Sequence, residues 1–148
     1  MSAGHTLLLV EDDPDDVFHL KRAYKKAGLA HPLHVVADGQ EAIDYLAGVG
    51  PYADRARHPL PTLMLLDLKL PRRSGLEVLA WVRSQPALRR LPIIALTSSR
   101  ERADVNGAYD LCVNSYLVKP LDAGALCELM GRIDAYWLDV NESPDGYF

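Results

Sequence analysis

Leu63-Met64-Leu65-Leu66 is an apolar run that ends at a lone carboxylate, Asp67, and continues as Leu68-Lys69-Leu70-Pro71-Arg72-Arg73-Ser74-Gly75. The pattern recurs along the chain. Leu7-Leu8-Leu9-Val10 stops at Glu11-Asp12-Asp13, Ile93-Ile94-Ala95-Leu96 at Thr97, and Tyr116-Leu117-Val118 at Lys119. Short runs of Leu, Ile and Val with no polar alternation read as strands buried on both faces, the pattern of a parallel sheet. Strands of such a sheet all end at one edge, so the acids, the hydroxyl and the amine gather there. In open α/β sheets that edge is where ligands bind.

Helical patterns fill the intervals, which predicts successive βαβ units. Pro14 suits the first turn of a helix, with Asp15 and Asp16 set against its dipole as solvated acids. Val17, Leu20, Tyr24 and Ala27 form its apolar stripe, and Gly28 ends it. Residues 33–36 form a second strand, and Asp38 caps a helix running to Ala47. Residues 48–61 are rich in Gly, Pro and Arg without a period, so they read as a surface loop, passive or partner-binding. A helix follows over 75–84, where Gly75 serves a turn or close packing. A weaker helical pattern covers 100–112, and a final amphipathic helix 122–139.

A chain of 148 residues, 49% hydrophobic and 24% charged, fits one globular domain with a proper core. No space is left for an output domain. The net charge of -4 and the scattered Lys and Arg exclude a basic stripe for nucleic acid. Met1 to Thr6 is too short and polar for a signal peptide, and no apolar run nears the roughly 20 residues that span a bilayer. A cytoplasmic location follows as the expectation, with no membrane partner. Cys112 and Cys127 form no CxxC and fall in helical patterns, so both are expected as buried free thiols. The five histidines lack HxxxH or HExxH spacing, which argues against zinc.

The strand-end residues suit a divalent cation and a phosphoryl group. Glu11, Asp12 and Asp67 would crowd carboxylates around one point, a repulsion that Mg²⁺ relieves. A calcium loop does not fit the acidic run 12–16, because Pro14 and Val17 stand where a ligand and a Gly are needed. Asp67 can attack phosphorus to form an acyl phosphate. Thr97 and Lys119 can bind phosphoryl oxygens.

These motifs, Val10-Glu11-Asp12-Asp13, Leu66-Asp67-Leu68-Lys69-Leu70-Pro71 with Ser74-Gly75, Leu96-Thr97-Ser98 and Tyr116-Leu117-Val118-Lys119-Pro120, stand in the order found in the receiver domain of two-component response regulators, which the chain resembles. The resemblance covers about residues 5–138, leaving a short C-terminal extension, and implies a flavodoxin-like, doubly wound α/β fold, with five parallel strands in the order 2-1-3-4-5 between five helices. It implies Asp67 as the acceptor of a phosphoryl group from a sensor histidine kinase. Mg²⁺ would be held by Asp12, Asp67 and the Lys69 backbone carbonyl, with Glu11 acting through water. Thr97 and Lys119 would bind the phosphoryl group, and Tyr116 would be the aromatic switch. Lys69 and Ser99 match the variable positions that tune phosphate lifetime. Ser98 and Cys112 depart from the common residues, a small apolar one and a glycine.

The acidic start, the long loop before the third strand and Tyr136-Trp137-Leu138 are similar to single-domain regulators that partner bacterial and cyanobacterial phytochromes. The expected output is protein contact or phosphate relay, not independent catalysis. Tyr136, Trp137, Leu138 and Val140 suggest a homodimer through the C-terminal region. Docking of Tyr147 and Phe148 onto the same domain is the alternative. Two rival classes remain at this level: a haloacid dehalogenase-type phosphotransferase, which wants an acid where Lys69 stands, and a receiver-like module that binds without phosphorylation.

Overall fold

The computed structural model describes residues 4–145. Its elements alternate: β1 (Leu7–Val10), α1 (Pro14–Lys26), β2 (Leu33–Val36), α2 (Gly39–Ala47), β3 (Leu63–Leu66), α3 (Gly75–Ser84), β4 (Ile93–Thr97), α4 (Arg102–Asp110), β5 (Ser115–Val118) and α5 (Ala123–Ile133). All strand pairs are parallel, in the order β2-β1-β3-β4-β5. The doubly wound arrangement expected from the sequence is therefore the one observed.

Because side chains alternate across a strand, each apolar run feeds two cores. Leu8, Val10, Met64, Leu66, Ile93 and Ala95 face α2, α3 and α4, where Ala42, Leu46, Val78, Leu79, Val82 and Ala108 close the layer. Leu7, Leu9, Leu63, Leu65, Ile94 and Leu96 face α1 and α5, against Leu20, Tyr24, Met130 and Ile133. Neither face could be spared in the three central strands, so β1, β3 and β4 carry no polar residue until they reach the edge, whereas the half-buried outer strands admit His34 and Ser115.

Local chemistry fixes where the helices begin. Asp13 Oδ1 accepts from the Asp15 N–H at 2.8 Å, Asp38 Oδ1 from Glu41 at 2.8 Å, Ser74 Oγ from Glu77 at 3.2 Å and Asp122 Oδ2 from Ala125 at 2.8 Å. Gly28, just past α1, takes φ 78°. Gly75 is required for close approach: a Cβ there would sit 2.2 Å from the Asp67 carbonyl oxygen and 2.6 Å from Leu68 Cα. The first turn of α3 thus rests directly on the peptide of the acid that ends β3.

Three expectations need revision. Residues 48–61 are not a featureless loop. They carry a 3₁₀ turn at Gly50–Tyr52, and Arg55 donates to the carbonyls of Tyr45 (2.7 Å) and Leu46 (2.8 Å), satisfying the open end of α2. Cys112 is exposed, not buried. The chain reverses after α4 with Cys112 at φ 63°, the left-handed conformation that favours glycine, and its side chain leaves the helix face. Cys127 is half-buried against the α1–α5 core. The last helix does not continue as α-helix to residue 139: α5 stops at Ile133 and a π-helical segment, Asp134–Val140, follows. Ile133 and Leu138 are five residues apart, and the wider turn brings both into the core, at 4% and 5% exposure.

At the opposite end of the sheet Arg83, in the last turn of α3, donates to the carbonyls of Arg89 (2.9 Å), Leu91 (2.7 Å) and Cys112 (2.9 Å) and to Asn114 Oδ1 (3.1 Å). Asn114 Oδ1 also accepts from the Ile93 N–H at 2.8 Å. One guanidinium therefore joins α3 to the beginnings of β4 and β5. Arg83→Met should lower stability by about 2–3 kcal/mol, since it strands several carbonyls; urea denaturation measures this. Gly75→Ala should cost about 2–3 kcal/mol through backbone overlap, read as a thermal midpoint lower by roughly 5–10 °C.

Candidate functional site

The sheet edge where β1, β3, β4 and β5 end is built by the backbone before any side chain acts. The ladder runs one residue past each strand: the Glu11 N–H donates to Val36 O at 3.1 Å, Asp67 to Val10 O at 3.1 Å and Lys119 to Thr97 O at 2.8 Å. Side chains at these positions leave a rigid frame toward a common point, beside the switch in strand order where α/β sheets open a crevice.

Glu11, Asp12 and Asp67 meet there, each offering a carboxylate oxygen, and all three oxygens lie within 4.8 Å of one another. Glu11 and Asp67 are buried, whereas Asp12 faces solvent. Lys119 enters the same space. Its ammonium donates to Glu11 Oε1, to Asp67 Oδ2 at 2.9 Å and to Asp16 Oδ2 at 3.0 Å. Asp16 was expected as a solvated helix start and is instead a third partner of this lysine: the first turn of α1 lies against the segment after β5, and a side chain placed for the helix dipole reaches the cation.

The electrostatics follow from burial and crowding. Loss of solvent, helped by the Asp67 charge, outweighs the Lys119 ammonium and the Asp13 N–H, and the Glu11 carboxyl ends up raised to about 7. Burial would also raise Asp67, but the Lys119 ammonium, the Thr97 hydroxyl and the Lys69 N–H outweigh it and hold this carboxyl below the usual carboxylate range. Burial works against the charged form of Lys119, and its contacts with Glu11, Asp67 and Asp16 more than reverse that, so it stays protonated. The pocket is left with more negative charge than one ammonium balances. That donor set, hard oxygens only, fits Mg²⁺ or Mn²⁺.

The remaining residues surround the cluster. Thr97 is 1% exposed, and its hydroxyl accepts from the Ser99 N–H at 3.4 Å. Tyr116 donates its hydroxyl to the Ser99 carbonyl at 2.9 Å, which links β5 to the segment after β4. The Lys69 N–H donates to Asp67 Oδ1 at 3.3 Å, while its ammonium turns away to Asp104 at 3.1 Å. All seven residues read from the sequence, Glu11, Asp12, Asp67, Lys69, Thr97, Tyr116 and Lys119, lie along this one edge and its adjoining segments. Asp16 and Asp104 were missed. Both lie on helices and pair with a lysine remote in sequence, and although Asp104 also meets Ser99 five residues before it, no local motif marks either acid. The Lys119-Pro120 bond is trans, as are all peptide bonds among the described residues.

Beside the site, a cleft of about 590 Å³ opens between α1 and the segment leading into α5. It is lined by Leu20, Ala23, Pro120 and Leu126, reaches Glu11 and Lys119, and carries the fully exposed Leu121 at its edge. No helix among the described residues is long and apolar enough to cross a membrane.

Comparison with known proteins agrees with this geometry. Residues 7–130 match the family model described as the response regulator receiver domain. Response regulator Rcp1 of Synechocystis sp. is 36% identical over 138 residues, which cover 93% of this chain and 92% of the relative. A crystal structure of the Mn²⁺-bound form of Rcp1 superposes with TM-score 0.83 at 36% identity, covering 95% of this chain and 99% of that one. The phosphorylated cyanobacterial phytochrome response regulator RcpA gives TM-score 0.88 at 36% identity, with 97% and 100% coverage. The bacteriophytochrome response regulator RtBRR gives 0.74 at 40% identity, with 98% and 87% coverage. Parallel strand order, a clustered triad of acids, and a buried threonine and lysine on neighbouring strands thus occur together in a chain that belongs to the response regulator receiver family.

Proposed function

We propose that Asp67 is the phosphoacceptor and that the chain acts as a single-domain regulator, with its core over about 5–138. The observation that carries this is the Asp67 carboxylate: buried, held ionised, and bound on one oxygen by Lys119 and on the other by the Lys69 N–H. A carboxylate that stays charged at neutral pH in a half-dry cleft is a competent nucleophile. Receiver domains accept their phosphoryl group from histidine kinases. An Asp67 oxygen bonds to phosphorus as the bond from phosphorus to the kinase histidine nitrogen breaks, and the electron pair leaves with the imidazole. The cleft between α1 and α5, apolar and open onto Lys119, is suited to admit the donor.

Asp12, Asp67 and the Lys69 backbone carbonyl would hold Mg²⁺, with Glu11 acting through water. When bound, the ion supplies positive charge that screens nucleophile from donor. Lys119 exchanges part of its carboxylate contacts for a phosphoryl oxygen. The Thr97 hydroxyl turns toward another, which draws on the Ser99 segment and therefore on Tyr116. Unequal contacts in the two states are what a switch requires. The product is a modified surface on α4, β5 and α5, not a released metabolite, so the protein has no independent catalytic turnover.

The likeness to RcpA and RtBRR, together with the acidic start and the long loop before β3, supports a phytochrome-type histidine kinase as partner, in the cytoplasm. A homodimer through the C-terminal region is supported by Tyr136 and Val140, which are 55% and 71% exposed on the π-helical segment. Leu138 and Trp137 instead pack against the α1–α5 core. Tyr147 and Phe148 lie outside the described residues.

Incubation with Mg²⁺ and acetyl phosphate should add the mass of one phosphoryl group to the wild type. Asp67→Asn should add none, and a chelator should abolish uptake; equal gain by the mutant would refute the assignment. Thr97→Val should still be phosphorylated, but phosphorylation should no longer shift the NMR signals of the Tyr116 ring. In sedimentation, Tyr136→Asp combined with Val140→Asp should convert a dimer to a monomer. A wild type that sediments as a monomer with or without acetyl phosphate would rule this interface out.

A further inference from the structure

Asp104 stands in the first turn of α4, yet its side chain points inward and is 11% exposed. Its carboxylate accepts from the Ser99 hydroxyl and pairs with the Lys69 ammonium at 3.1 Å. The two partners flank the acceptor site symmetrically. Lys69 lies two residues beyond Asp67, and Ser99 two residues beyond Thr97. The Ser99 carbonyl also receives the Tyr116 hydroxyl. A single carboxylate on α4 therefore ties together the segments after β3 and β4 and, through Ser99, the aromatic residue of β5.

A buried carboxylate needs compensation, and here Ser99 and Lys69 supply it. Helix capping does not explain the arrangement. The N-cap residue of α4 is Glu101, whose side chain makes no capping bond, and an acid at the position of Asp104 would favour the helix dipole equally well if it faced solvent. The contact that turns Asp104 inward is the one with the two acceptor-site segments.

We infer that Asp104 is a latch, a positioning residue that holds the Lys69 ammonium away from Asp67 in the resting state and anchors α4 to the acceptor-site segments. The inference rests on the reading of Asp67 as phosphoacceptor. The Lys69 side chain starts beside that acid, because its own N–H contacts Asp67 Oδ1. A phosphoryl group on Asp67 brings roughly two negative charges to this point. They compete with the single charge of Asp104 for the ammonium and repel the carboxylate. Transfer of Lys69 from Asp104 to phosphoryl oxygens is an unequal contact of the kind that shifts a two-state equilibrium. It releases α4, and it places a side chain across the path by which water reaches phosphorus. The latch thus couples the lifetime of the phosphate to the position of α4.

The test compares wild type, Asp104→Asn, Lys69→Met and the double variant. Each is loaded with Mg²⁺ and acetyl phosphate, desalted, and followed by intact mass. Asn keeps the shape of the side chain and can still accept from Ser99, so the fold should persist; Asp104→Ala is a second variant of the same kind. Both should lengthen the phosphoryl half-life about two- to fivefold, the range of a partly exposed ion pair. The effect should vanish in the Lys69→Met background. Before any phosphorylation, the Tyr116 ring signals of Asp104→Asn should already be displaced toward their positions in phosphorylated wild type. Equal half-lives in all variants, a lengthening that survives undiminished with Met at position 69, or unmoved Tyr116 signals would overturn the latch while leaving Asp67 as acceptor. Absence of phosphoryl mass on the wild type would overturn both.

Discussion

Four carboxylates, those of Glu11, Asp12, Asp16 and Asp67, share one end of a sheet with the single ammonium of Lys119, and their mutual repulsion is the constraint around which the molecule is arranged. Such a cluster survives only if the backbone beneath it cannot yield. The five-stranded frame, dry on both faces, supplies that rigidity, and the ladder bonds that continue past the strand ends carry it to Glu11, Asp67 and Lys119. The stored repulsion also gives the site its appetite for cations. An incoming metal ion relieves it, whereas a neutral ligand does not.

A short chain of hydrogen bonds leads out of this cluster. Thr97, Ser99 and Tyr116 are joined through two hydrogen bonds across neighbouring segments, and Asp104 brings α4 into the same connection. Thr97 is buried and Tyr116 packs partly against the core under α2, α3 and α4, but the links of the route are hydrogen bonds rather than apolar contacts. Its members can change partners without opening an apolar layer, so the two arrangements can lie within a few kcal/mol of each other, as a switch requires.

How far the sequence could be read depended on the range of the interaction responsible. Apolar runs that stop at polar residues made the strands and their functional ends visible, because burial on both faces is a local demand on every residue of a strand. The helix cap at Asp38 was legible for the same reason. Asp16 and Asp104 were not, since each meets a lysine far off in the chain, 103 and 35 residues away, and the nearer contact of Asp104 with Ser99 follows no motif. Arg55 was hidden because an arginine in a polar loop gives no sign that it will complete a helix end. The exposure of Cys112 depends on a left-handed backbone turn that follows from the geometry of the chain reversal. The π-helical segment follows from Ile133 and Leu138 competing for one layer, a spacing that an α-helical period does not match.

The Arg83 junction sets a mechanical boundary. Its bonds fasten α3 to the entrances of β4 and β5, at the end of the sheet remote from the acids. With those entrances clamped and the ladder continuing past the exits, the loops and side chains beyond the exits are what is left to move. The domain is thus pinned at one end of the sheet and carries its acid cluster at the other. A change of charge at that edge would be taken up by side chains and loops beyond the strand exits, at a distance from the clamp.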